Sequence, residues 1–201
     1  MDSYTAFAGL RCIAAGELEQ TVLAAKRHVD ANPTAPILIF EDRTGTQIDF
    51  DLRGTPNEVR ARLAAHPHFV ATTAPSTGRS GPGRPRLGVV SREVSLLPRH
   101  WSWLAEQPGG ASAALRRLVD EARKRDPAHD DARRAREAAG RFLWAVAGDL
   151  PGFEEASRAL FAGDDARLAQ LVSDWPADVG DHVRRLLQAG RPAVSPVASE
   201  T

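Results

Sequence analysis

Ile37-Leu38-Ile39-Phe40-Glu41-Asp42-Arg43-Thr44-Gly45-Thr46-Gln47-Ile48-Asp49-Phe50-Asp51-Leu52-Arg53-Gly54-Thr55-Pro56-Asn57-Glu58 holds two extended runs and a helix start in one stretch. Residues 37–40 and 48–52 flank a polar turn in which Gly45 suits a positive φ, so a β-hairpin is expected. Strict alternation over Ile48-Asp49-Phe50-Asp51-Leu52 gives its second arm one wet face, with Asp49 and Asp51 toward solvent. Thr55 then offers an N-cap, Pro56 the first helical position and Glu58 a side chain that can reach back to the cap, which predicts a helix from Pro56 to about Ala65. Strand pairing followed at once by a capped helix makes the fold class α+β.

Upstream, residues 4–12 read as a strand that contains Cys12 as a core residue. Residues 17–31 read as a helix with Leu18, Val22, Ala25 and Val29 at helical spacing, stopped by Asn32-Pro33. Residues 1–71 are therefore expected to form a β-α-β-β-α module. Downstream, 72–88 shifts to Pro, Gly, Ser, Thr and Arg without apolar periodicity, the composition of a mobile linker. Residues 89–97 then suit a strand, Pro98 opens a helix to about Gln107, and Pro108-Gly109-Gly110 turns the chain. Ser112 is expected to cap a second helix to Arg125, completing a strand-helix-helix segment over 89–126. A helical module fills 127–190, with helices over 131–147, 151–162, 164–173 and 177–189, the first, second and fourth closed by Gly148, Gly163 and Gly190. A disordered tail, 191–201, is expected after it.

The charge balance of 26 basic and 26 acidic residues hides an uneven distribution. Residues 74–127 carry ten basic and five acidic side chains, while both flanks are net acidic. A single cysteine excludes an internal disulfide and agrees with a reducing compartment. The start, Met1-Asp2-Ser3-Tyr4, lacks the basic and apolar regions of a secretory signal, and no apolar run is long enough for a bilayer, so a cytoplasmic protein with no membrane partner is expected.

The central segment resembles a ribbon-helix-helix DNA-binding module in Arg92-Glu93-Val94-Ser95-Leu96-Leu97-Pro98 and Gly109-Gly110-Ala111-Ser112. That resemblance implies two chains pairing their strands into a ribbon for the major groove, with the amides of Gly110, Ala111 and Ser112 meeting a phosphate. The outward strand set is Arg92, Val94 and Leu96 if Leu97 faces the core, or Ser91, Glu93 and Ser95 if Val94 and Leu96 do. Neither is the basic or amide-rich row usual in that family. Gly83-Arg84-Pro85-Arg86 is similar to the centre of an AT-hook, which would place Arg84 and Arg86 along a minor groove, although Pro82 stands where that motif has its first arginine. An Arg-, Pro- and Gly-rich linker also produces such a tetrapeptide by composition alone. The DNA-facing candidates are thus Arg84, Arg86, Arg92, Ser95, Gly110, Ala111 and Ser112. Trp101 and Trp103 lie two apart on a helix and cannot share one core, so with Val94 and Leu96 they are candidate interface residues, for a second copy, another protein or another part of the chain.

Catalytic, cofactor and metal motifs are not readable. His66 and His68 lack further ligands at metal-like spacing, Cys12 has no adjacent His, and His129-Asp130-Asp131 reads as helix capping. Trp175-Pro176-Ala177-Asp178 followed by Asp181-His182 reads as a helix start with an acidic first turn, and His182 reads as a surface residue.

Ile39-Phe40-Glu41-Asp42 with Gly45, Asp49-Phe50-Asp51-Leu52-Arg53-Gly54, residues 83–89, Ser95-Leu96-Leu97-Pro98-Arg99-His100-Trp101, residues 107–112 and Ala147-Gly148-Asp149-Leu150-Pro151-Gly152-Phe153-Glu154 look like the bacterial family catalogued as domain of unknown function 2239. The resemblance spans nearly the whole chain and implies no activity. Three function classes follow: a DNA-binding regulator acting as a homodimer on duplex DNA, a protein-interaction or scaffold module, and, third, an enzyme whose site is assembled from distant residues.

Overall fold

The computed structural model describes residues 3–66 and 92–191. The expected linker, with Arg84 and Arg86, the first residues of the expected central strand, His68 and the tail from 192 lie outside the described residues. The chain forms two compact units, one drawn from residues 1–70 and 128–201, the other from 71–127. The architecture is mixed α+β, with eight helices and a four-stranded antiparallel sheet near the N-terminus among the described residues.

In the larger unit β1 (Tyr4–Ala8) and β2 (Arg11–Gly16) form a hairpin where a single strand was expected. Gly9, at φ +57°, makes the turn. Helix α1 (Leu18–Ala31) follows, then β3 (Ile37–Glu41) and β4 (Thr46–Gln47), giving the strand order β2-β1-β3-β4. The second arm of the expected hairpin shrinks to two residues. Beyond it the Ile48 amide still donates to Ile39 O at 2.8 Å, but the next carbonyls leave the sheet. Arg62, from α2 (Pro56–Ala65), takes over as their partner, donating to Asp51 O at 3.0 Å and also to Arg53 O. The alternation survives the loss of the ladder: Ile48 is buried, Phe50 and Leu52 half-buried, Asp49 and Asp51 exposed.

Central strand β1 is covered on both faces. Tyr4 and Ala6 pack with Leu18, Val22 and Ala25 of α1 and Val59 and Leu63 of α2. Phe7, on the opposite face, meets Phe142 at a ring-centroid distance of 5.0 Å, and Phe40 meets Phe142 at 5.3 Å. Phe142 belongs to α5 (Pro127–Val146), which packs there with α6 (Phe153–Ala162), α7 (Asp165–Leu171) and α8 (Ala177–Ala189). A helical layer thus lies on each face of the sheet.

Gly45 joins the sheet to the second layer. At φ +66° it occupies a region that L side chains rarely enter, and a Cβ there would lie 2.1 Å from Ala138 O on α5. Beside it Arg141 of α5 donates to Thr44 O. The expected positive φ at Gly45 is present, and the helix it touches is some ninety residues away in sequence.

The smaller unit holds α3 (Pro98–Ala105) and α4 (Gly110–Arg125), packed on one another after the bend at Gly109. Arg92 to Leu97, the described part of the expected central strand, do not form a strand and pair with no strand among the described residues. Helix α4 begins at Gly110, so Ser112 lies inside the first turn and is not its cap. Helix α5 begins at Pro127, four residues ahead of the expected start, because proline at the first helical position sacrifices an amide that would be unpaired there anyway.

Candidate functional site

The smaller unit buries little of its apolar surface. Of the described residues from 92 to 127 only Leu104 and Ala114 are buried, one from each helix. Trp101 is 43% exposed and Trp103 47%, so neither tryptophan is withdrawn into a core. Val94, at 52%, Leu97, Leu118 and Val119 are exposed as well, and Leu96 is half-buried. A helical pair with so small an interior leaves unused the ~1.5–3 kcal/mol that full burial of each large apolar side chain supplies.

The expected DNA-facing residues are distributed around this unit. Arg92 and Ser95 are exposed on the segment ahead of Pro98, while Gly110, Ala111 and Ser112 form the first turn of α4. The Gly110 amide donates to Gln107 O at 3.0 Å. The free donors of the turn are therefore the Ala111 and Ser112 amides, which the helix leaves without intrahelical acceptors. At its far end α4 carries Arg123, Lys124 and Arg125, all exposed, where cations oppose the negative end of the helix dipole.

A second set of polar groups gathers in the larger unit, between α8 and the open edge of the sheet. His182 of α8 is 1% exposed, which overturns its reading as a surface residue. The stripe Val179, His182, Val183, Leu186 explains the burial, since residues three and four apart share a helix face and the other three belong to the core. The imidazole stacks edge-on to Phe142 at 4.4 Å and Phe7 at 5.4 Å.

Its two nitrogens have different surroundings. Arg185, one turn further along α8, points Nη2 at His182 Nδ1 across 3.2 Å. A guanidinium can only donate, so Nδ1 is the acceptor and the neutral ring carries its proton on Nε2. Nε2 lies 3.8 Å from Asp42 Oδ1, too far for a direct hydrogen bond. Both atoms are buried without a hydrogen-bond partner. Asp42 is held from its other side: Ser3 Oγ donates to Oδ2 at 2.7 Å, and the Asp42 amide donates to Ser3 O at 2.9 Å. Burial pushes the His182 pKa down to about 4; Asp42 pulls it up, and Arg185 pushes it further down.

Arg185 borders two clefts. One, of about 450 Å³, is lined by the Asp42 and His182 pair together with Arg43, Ala15 and Leu186. The other, of about 520 Å³, lies along α8 and reaches β2 at Cys12, with Asp178 and Arg184 among its lining. Cys12, expected as a core residue, is half-buried on edge strand β2, packed against the core with Phe7 and Phe142 on one side and at the wall of this second cleft on the other. Its amide donates to Asp178 Oδ2 at 2.9 Å, so a carboxylate from α8 satisfies a strand-edge donor. Burial pushes the Cys12 thiol pKa up against the pull of Arg185, which keeps the sulfur protonated at neutral pH.

Sequence reasoning missed the meeting of Asp42 with His182. Asp42 lies in a turn and His182 in a helix 140 residues later, and the legible signal was only the apolar stripe around His182. Among the described residues no cluster of His, Cys, Asp or Glu has metal-binding arrangement, and no helix is long and apolar enough to cross a membrane.

The family model described as "Uncharacterized protein conserved in bacteria (DUF2239)" matches residues 3–187. No curated protein and no solved structure matches the chain. The ribbon-helix-helix resemblance finds no confirmation in these comparisons.

Proposed function

The chain belongs to the DUF2239 family, and from that premise we propose that it is a cytoplasmic binding protein whose strand-helix-helix segment pairs with a second copy and presents a basic surface to duplex DNA. The observation that carries this reading is the set of exposed apolar side chains of the smaller unit. Val94, Leu97, Trp101 and Trp103 stay accessible in a single chain, and the extended residues ahead of Pro98 have no partner strand among the described residues. Pairing of two such segments supplies both a ladder for the strands and an interior for the helices.

Charge favours a polyanionic target for the paired unit. Ten basic against five acidic side chains fall within residues 74–127, in a chain that is neutral as a whole. Arg84, Arg86 and Arg92 precede the helices, the Ala111 and Ser112 amides open α4, and Arg123 to Arg125 close it. Phosphate contacts of this kind position a protein on the duplex with little choice of sequence. The Val94 and Leu96 positions, apolar where a base-reading ribbon carries polar groups, agree with weak sequence preference.

An electrophoretic shift of a random duplex at two salt concentrations tests the proposal. Binding that weakens steeply with salt is expected, and replacing Arg84 and Arg86 by Ala should reduce the slope of log K against log salt by about one unit for each phosphate no longer neutralised. No shift at low salt would remove nucleic acid from the reading. The exposed apolar side chains would then stand for the second reading, a protein-interaction module, which they favour independently of charge.

A further inference from the structure

Helix α4 is longer than the helix it packs on, and its outer half is left uncovered. With eight residues against sixteen, α3 covers only the first half of α4. Burial follows that limit: Ala114 is buried and Leu115 half-buried, whereas Leu118 is 39% and Val119 54% exposed. Ala122 continues the same stripe at helical spacing, and Arg125 falls on it again, three residues after Ala122 and seven after Leu118. A second copy that covers Leu118 and Val119 therefore brings Arg125 to the edge of the seam.

The charge of α4 opposes that pairing. Five basic side chains, Arg116, Arg117, Arg123, Lys124 and Arg125, stand against two acidic ones, Asp120 and Glu121, so the helix is net positive with every acid counted. Glu121 is engaged by Arg117 at 3.9 Å, and Arg123, Lys124 and Arg125 form no ion pair with a described residue. Neither orientation of two such helices avoids repulsion. Parallel helices set Arg125 beside its own copy; antiparallel ones set it beside the first turn of the partner helix, where the Ala111 and Ser112 amides carry the positive end of the dipole. Phosphates reverse the sign, because a row of them attracts both helices at once. Resting on the DNA-binding reading, we propose that pairing of the two copies is linked to the polyanion: duplex DNA lying across both α4 helices tightens a dimer that their charge otherwise keeps weak. The coupling is reciprocal, so one bound copy favours the binding of the second.

Sedimentation of the full chain at about 0.01 M and about 0.15 M salt, between which the Debye length falls from about 30 Å to about 8 Å, reads the repulsion directly. Without DNA the dimer should tighten at least about threefold as salt is added, the opposite direction to duplex binding, which weakens. At the lower salt a random duplex with room for two copies should take them up cooperatively, the second at least about tenfold more tightly than the first. Arg125→Ala, at an exposed helix end, should tighten the dimer at low salt, flatten its response to salt and reduce the cooperativity on the duplex. A dimer that salt weakens or leaves unchanged, a duplex that takes up copies independently, or an Arg125→Ala chain that behaves as the native one would each overturn the proposal. Duplex binding that persists in those cases keeps the DNA-binding reading and removes only the coupling, whereas a duplex that is not bound at all removes both.

Discussion

His182 shows how a single side chain links burial to acid response. Its ring is packed against Phe7 and Phe142, and its folded pKa, about 4, lies below the ordinary histidine value near 6.5. Between those two values the unfolded chain binds a proton that the folded chain refuses, so stability rises with pH through this window and is lost on acidification from about 6.5 toward 4. The change amounts to on the order of 3 kcal/mol over that range. Asp42 and Arg185, the charged groups facing the ring, pull in opposite directions and do not reverse the sign. Urea unfolding midpoints measured from pH 7 to 4 should therefore fall, and His182→Gln, though less stable at pH 7, should show a flatter profile; an equally steep one would contradict the assignment. At Gly45 the expectation concerns sterics. Gly45→Ala would place a methyl group 2.1 Å from the Ala138 carbonyl at a φ unsuited to alanine, and a loss of more than about 3 kcal/mol is predicted from urea unfolding.

At the scale of elements, local chemistry was written plainly where it concerned caps and periods. The Thr55 box is present, with the Glu58 amide donating to Thr55 Oγ1 at 3.3 Å and the Thr55 amide donating to Glu58 Oε2 at 2.7 Å. Thr55→Ala should lower stability by about 1 kcal/mol, read as a shift in the urea midpoint without change in slope. The helix over residues 177–189 has the expected bounds, because Pro176 and Gly190 mark both ends. The β1–β2 hairpin was missed, since Tyr4-Thr5-Ala6-Phe7-Ala8-Gly9 offers one glycine as its only turn signal within an apolar run. The shortened β4 was missed for a different reason. Alternation over Ile48 to Leu52 persists, but the hydrogen bonds that would define a strand go to Arg62, a competition that periodicity does not encode.

For the molecule as a whole, the part least legible in sequence was the covering of the sheet by helices from the far end of the chain. Phe7, Phe40 and Phe142 form one aromatic cluster, and Gly45 meets Ala138, across separations that no local pattern records. The meeting of Asp42 with His182 was hidden for the same reason. The smaller unit presents the opposite case. Its exposed tryptophans were partly anticipated from their spacing, because two residues so placed on a helix cannot share one interior. What remains central is the claim that a second copy completes this unit. Sedimentation velocity of the full chain, compared with Val94→Lys at the same concentrations, tests it most directly. A concentration-dependent dimer is expected for the native chain, and a monomer for Val94→Lys with its circular dichroism spectrum retained. A native chain that sediments as a monomer at every concentration would contradict it.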